Sequence, residues 1–150
     1  MWLYDFRWRA RRPVVILLTM WMGPLLYVAT SIFLWKYLGG VFIPTLLTRT
    51  IVSIVPPLSD LEMLVTINTN AFYFGAYFLF GFYWPRLKSY FRNPFLGGMA
   101  LWFVNVFVLL PLIGRGVLGY KLPQGWMAVS FPLLLSHWLF ARGLSYQTRS

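Results

Sequence analysis

Four apolar stretches divide this chain, at residues about 14–37, 61–84, 95–113 and 126–144. Short corners of charge, glycine and proline separate them. Each stretch is close to the roughly 20 predominantly apolar residues that a membrane-crossing helix needs. The pattern predicts an all-α, polytopic membrane protein with four transmembrane helices in a single integral-membrane domain over 1–150. Residues 41–55 read differently. Thr45, Thr48, Arg49 and Ser53 recur at helical spacing among Ile43, Leu46, Leu47, Ile51, Ile54 and Val55, and Pro56-Pro57 ends the run. That period predicts an amphipathic helix, interfacial or re-entrant, with Arg49 toward lipid headgroups. A fifth span is the rival reading. It is short, and it would bury Arg49 near mid-bilayer at a cost of several kcal/mol.

Within the stretches, small and polar positions mark faces for helix packing. Thr19 and Gly23, and again Ala71 and Gly75, form small-xxx-small pairs that let a second helix approach. Gly23-Pro24 predicts a kink in the first helix. The second helix carries Glu62, Thr66 and Asn70 in four-residue steps, beside Asn68 and Thr69. Rings from Phe72 to Trp84 cover all its faces. Asn105 lies inside the third helix and His137, the chain's one histidine, inside the fourth.

Composition strengthens the membrane reading. The chain is 59% hydrophobic, 21% aromatic and 11% charged, against roughly 25% charged residues in soluble domains. The net charge of +10 does not point to nucleic acid, because the basic residues flank apolar segments instead of lining one solvated face. Membrane lipids with anionic headgroups, or acidic faces of other membrane protein subunits, are the expected partners. Near the start, Arg7, Arg9, Arg11 and Arg12 interleave with Trp2, Tyr4, Phe6 and Trp8. This is an interfacial anchor or the basic flank of helix one, and no clear A-x-A-like site marks a signal peptide. Four spans place Arg7, Arg9, Arg11, Arg12, Arg86, Lys88, Arg92, Arg142 and Arg149 on one side. Lys36, Arg49, Arg115 and Lys121 fall on the other. The positive-inside rule then puts both termini in the cytoplasm of a bacterial or archaeal inner membrane.

Candidate chemistry is sparse. There are three acids and no cysteine, which removes disulfides, thiolate metal sites and cysteine catalysis within this chain. No phosphate-cradling loop or two-histidine motif is present, and the Gly114, Gly116, Gly119 spacing lacks the strand that a dinucleotide fingerprint requires. The residues support no enzyme and call for no metal or cofactor. His137 is the sharpest candidate. Its expected role is an interhelical hydrogen bond to Ser136, Ser130 or Asn105, on a face shared with Ser130, Leu133 and Ala141. The alternatives are an axial ligand to haem or chlorophyll, or a quinone contact. Asn68, Asn70 and Asn105 either bridge helices or line a polar pocket for a quinone or lipid headgroup. Arg115, framed by Gly114 and Gly116, is a candidate lipid-phosphate contact, as are Arg49, Arg11 and Arg12.

Gly97-Gly98, Trp102, the run Pro111 to Gly119, Ser136-His137 and Gly143 resemble an uncharacterised family of small four-helix bacterial and archaeal membrane proteins. The resemblance covers residues 95–144 and implies a four-helix topology. It also implies a histidine in the second helix, where this chain reads Thr69-Asn70-Ala71-Phe72-Tyr73-Phe74-Gly75. It implies no activity. Three functions fit these features. The first is a non-catalytic structural or accessory subunit of a larger membrane complex, such as a respiratory or photosynthetic one. The second is a lipid-, quinone- or pigment-binding module, and the third a small lipid-handling transporter or flippase.

Overall fold

The computed structural model describes residues 21–91 and 93–147, with side chains up to 145. Arg11, Arg12, Thr19 and the expected start of helix one lie outside the described residues. Five helices are present, with no strand among the described residues: α1 (Trp21–Leu38), α2 (Ile43–Ile54), α3 (Glu62–Leu87), α4 (Pro94–Leu112) and α5 (Gly125–Gln147). Three helical stretches, Pro56–Leu87, Pro94–Leu112 and Gly125–Ser145, are long and apolar enough to cross a membrane. The pair α1–α2, bent by 79° at its break, makes a fourth if it counts as one span.

Consecutive long helices run antiparallel, and so do α1 and α5, as their side-chain pairings show. Trp21 meets Phe78 while Tyr27 meets Tyr73. Trp84 lies against Gly97 while Tyr77 meets Asn105. Gly23 lies against Gly143 while Tyr27 meets His137. Arg86, Lys88 and Arg142 therefore share one end of the bundle. Lys36, Arg49, Arg115 and Lys121 share the other.

Close approach depends on glycine at two crossings. Gly23 and Gly143 touch backbone to backbone where α1 crosses α5. At Gly98 a Cβ would lie 2.7 Å from the His137 carbonyl oxygen and 2.9 Å from Ala141 Cβ, so α4 seats on α5 only because that atom is missing. The expected small-residue contact at Ala71 and Gly75 does not form among the described residues. Ala71 is exposed, and a Cβ at Gly75 would meet nothing within 4 Å.

Local rules explain most boundaries. Asn93 caps α4, its side-chain oxygen accepting from the Leu96 amide at 3.0 Å, with Pro94 as the first helical residue. α3 continues through Pro85 for one turn beyond the expected end, where the Lys88 amide bonds the Trp84 carbonyl. α4 is not the regular helix expected over 95–113. Val104–Leu109 forms a π segment in which the Leu110 amide reaches back to the Asn105 carbonyl. Pro111 has no amide hydrogen for the Phe107 carbonyl, and the wider turn relieves that clash.

α2 is amphipathic as expected, with one correction to its polar face. Arg49 and Ser53 are exposed, but Thr48 turns inward. Its hydroxyl lies 2.6 Å from that of Thr69 on α3 and donates to the Pro44 carbonyl at 3.0 Å. Tertiary packing against α3 decides this, because Thr69 offers the hydroxyl a hydrogen-bond partner inside the bundle.

Candidate functional site

Five polar side chains from four helices meet at the middle of the bundle: Tyr27 (α1), Tyr73 and Tyr77 (α3), Asn105 (α4) and His137 (α5). All five are buried, and Tyr27 and His137 are fully so. Helical spacing aligns them. Tyr73 and Tyr77 lie one turn apart on the inner face of α3. His137 shares a buried face with Ser130, Leu133 and Ala141, as the sequence period predicts. The Tyr27 and Tyr77 rings stack at 3.9 Å, and Phe140 closes on both edge-on. This fixes the hydroxyls to within hydrogen-bond reach of their partners.

Main-chain contacts fix where the protons sit. His137 Nδ1 lies 2.6 Å from the Leu133 carbonyl oxygen, which only accepts, so Nδ1 carries the hydrogen. The described acids, Asp60 and Glu62, are both exposed and remote from the ring. A buried imidazolium would have no counter-charge, so the ring is neutral and Nε2 accepts. Tyr77 donates to that nitrogen at 2.7 Å. Asn105 Nδ2 gives its hydrogens to the Leu101 carbonyl at 2.8 Å and the Tyr77 oxygen at 2.7 Å. Asn105 Oδ1 accepts from Tyr73 at 2.8 Å. Tyr73 has then spent its hydrogen, so Tyr27 donates to it at 2.7 Å. The result is one directed chain from Tyr27 through Tyr73, Asn105 and Tyr77 to His137 and the Leu133 carbonyl. The 3.3 Å approach of Tyr73 to Tyr77 carries no proton in this arrangement.

Of the residues singled out from sequence, Asn105 and His137 come together, 3.3 Å apart at Nδ2 and Nε2. The two serines expected near His137 do not reach it. Ser136 donates to the Pro132 carbonyl and Ser130 to the Leu118 carbonyl. Asn70 stands apart and donates to the Thr66 carbonyl of its own helix at 2.8 Å. Arg49 is exposed on α2. Arg115 is half-buried in the turn after α4, its Nε buried without a hydrogen-bond partner. Both ring nitrogens of His137 are engaged, so an axial-ligand role at Nε2 would have to displace Tyr77.

An open-sided cleft of about 810 Å³ leads to this network. α3 and α4 close on each other at Trp84 and Gly97 and diverge toward the α2 end. The walls are mainly apolar, with Leu47 and Ile51 from α2, Val65 and Phe72 from α3, and Val104 and Leu109 from α4, while Asn68 and Thr69 add polar groups on the α3 side. Tyr73, Tyr77 and Asn105 form the inner end. Tyr27 and His137 lie behind them. The volume and lining are those of a site for a small apolar ligand with few polar anchors. The three tyrosines were not legible as site residues. The one signal was the four-residue step from Tyr73 to Tyr77. No family model, no curated protein and no solved structure matches this chain.

Proposed function

We propose that this chain is a membrane-embedded, non-catalytic binding module that receives the apolar chain of an amphiphile, a lipid or isoprenoid quinone, between α3 and α4. The observation that carries this reading is the α3–α4 cleft of about 810 Å³, mainly apolar along its walls, where Asn68 and Thr69 are the polar exceptions, and polar at its inner end. Helices of this length and hydropathy support a location in the bilayer. There, hydrocarbon chains are the solvent that an open-sided apolar cleft meets. Native mass spectrometry of the gently extracted protein tests it. A co-purifying amphiphile is expected, and Val104→Trp, which fills the cleft from a half-exposed position, should remove it. Equal retention by both proteins rules out the cleft as the seat. An absorption band of haem or chlorophyll would replace an amphiphile with a pigment.

A second reading, the accessory subunit of a larger membrane complex, has its own support. Ala71 and Gly75 present a small-residue face on α3 that no helix among the described residues covers, beside the cleft mouth. Such faces let helices approach closely in lipid. A larger partner that co-purifies, and is lost on Gly75→Leu, would favour it.

A further inference from the structure

The directed hydrogen-bond network fixes which ligand chemistry the inner end of the cleft accepts. Every donor there is already committed. The Tyr73 hydrogen is on Asn105 Oδ1, the Tyr77 hydrogen on His137 Nε2, and both Asn105 amide hydrogens on the Leu101 carbonyl and the Tyr77 oxygen. What remains free are acceptor lone pairs, one each on the phenolic oxygens of Tyr73 and Tyr77, at the cleft wall. A ligand with a hydroxyl donates to one of these and leaves the network intact. A ligand with only a carbonyl or ether oxygen must first pull a hydrogen from an existing bond. That orphans Asn105 Oδ1 or His137 Nε2 in a dry interior, where an unmade hydrogen bond is costly. The inner end also lies near the mid-length of α3, α4 and α5, with no charged side chain among its lining residues. A charged headgroup would find no counter-ion there.

We infer that the α3–α4 cleft selects a neutral, hydroxyl-headed amphiphile, such as a quinol or a diacylglycerol, over its carbonyl or ether counterpart, with the hydroxyl donating to Tyr73 or Tyr77. This rests on the cleft being the binding site proposed above and adds the identity of the head. The test uses the full chain in nanodiscs and two matched pairs of probes: decylubiquinol against decylubiquinone, and dioleoylglycerol against its methyl ether. Each hydroxyl probe should bind about threefold to tenfold tighter than its partner, the range of one net hydrogen bond. A preference in the quinol pair alone identifies a quinol as the source. A preference in the glyceride pair alone identifies a diacylglycerol. His137→Leu, which lies outside the cleft wall, releases the Tyr77 hydrogen and should bring the ratio to parity or reverse it. Val104→Trp should abolish binding of all four probes. Equal or tighter binding of the donor-free probes by the unaltered protein overturns the head assignment while leaving the cleft standing. Binding of all four that survives Val104→Trp overturns the cleft itself.

Discussion

Tyr77 Oη lies 2.7 Å from His137 Nε2, a bond that joins α3 to α5 across 60 residues of chain. Tyr77 also accepts from Asn105, so it ties α3 to both α4 and α5.

Tyr77→Phe should therefore cost more than Tyr27→Phe. The first leaves His137 Nε2 without its donor and one Asn105 hydrogen without its best acceptor, about 1–3 kcal/mol by the scale of an orphaned buried group. The second removes only the donor that starts the chain, about 1 kcal/mol or less. Unfolding in micelles, followed by tertiary signals, should rank them in that order. The reverse order would refute the proton arrangement derived above. His137→Gln, which keeps both an acceptor and a donor, should be milder than His137→Leu.

The glycine crossings give a second contrast. Gly98→Val places branched carbon where the His137 carbonyl and Ala141 already sit, and overpacking of this kind costs about 1–3 kcal/mol or more. Gly75→Val faces open space and should leave the isolated chain's melting temperature almost unchanged. Equal loss at both positions would mean that the α4–α5 contact is not the tight one.

How much of this was legible follows from what each level of structure needs. The long apolar helices were readable because some twenty apolar residues in a row leave few alternatives. Asn105 and His137 were readable because a strongly polar side chain in such a run stands out. Tyr73 and Tyr77 were hidden among Phe72, Phe74, Phe78 and Phe80, where hydroxyl-bearing and plain rings share a stretch that is aromatic on every face. The inward turn of Thr48 was illegible, since Thr69 is its partner only after α2 has folded back on α3. Likewise, the small pair at Ala71 and Gly75 looks the same in sequence whether its partner helix lies in this chain or another.

The burial pattern of α2 sets a labelling experiment. Cysteines at 49 and 53 should react with a water-soluble thiol reagent, while one at 48 should resist, because Thr48 is buried against α3 while Arg49 and Ser53 are exposed. Uniform protection would place α2 inside the bilayer as the second limb of a broken span instead of along its surface.

Reporter fusions address orientation. The antiparallel pairings put Ser89 at the α3–α4 corner, at the bundle end that also holds the last turns of α5. Fusions at Ser89 and at Ser150 should both report cytoplasm under the positive-inside rule. A periplasmic signal at either would exclude that orientation.

The wide turn in α4 has a consequence for the rotational phase of the helix. Counted at the regular advance of about 100° per residue, Leu110 would sit about 120° around the axis from Gly98, yet it is fully buried. The wide turn takes up one residue more than an α-helix needs, and so returns Leu110 to the inward side. Pro111 is the reason that residue is tolerated. Removing outward-facing Val108 together with Pro111→Leu should therefore yield a straight helix that still turns Gly98, Asn105 and Leu110 inward. Either change alone should not, because the deletion forces Pro111 against the preceding turn and the substitution leaves an unneeded residue in the turn. A deletion rescued by a substitution three positions away would show that α4 carries a compensated insertion.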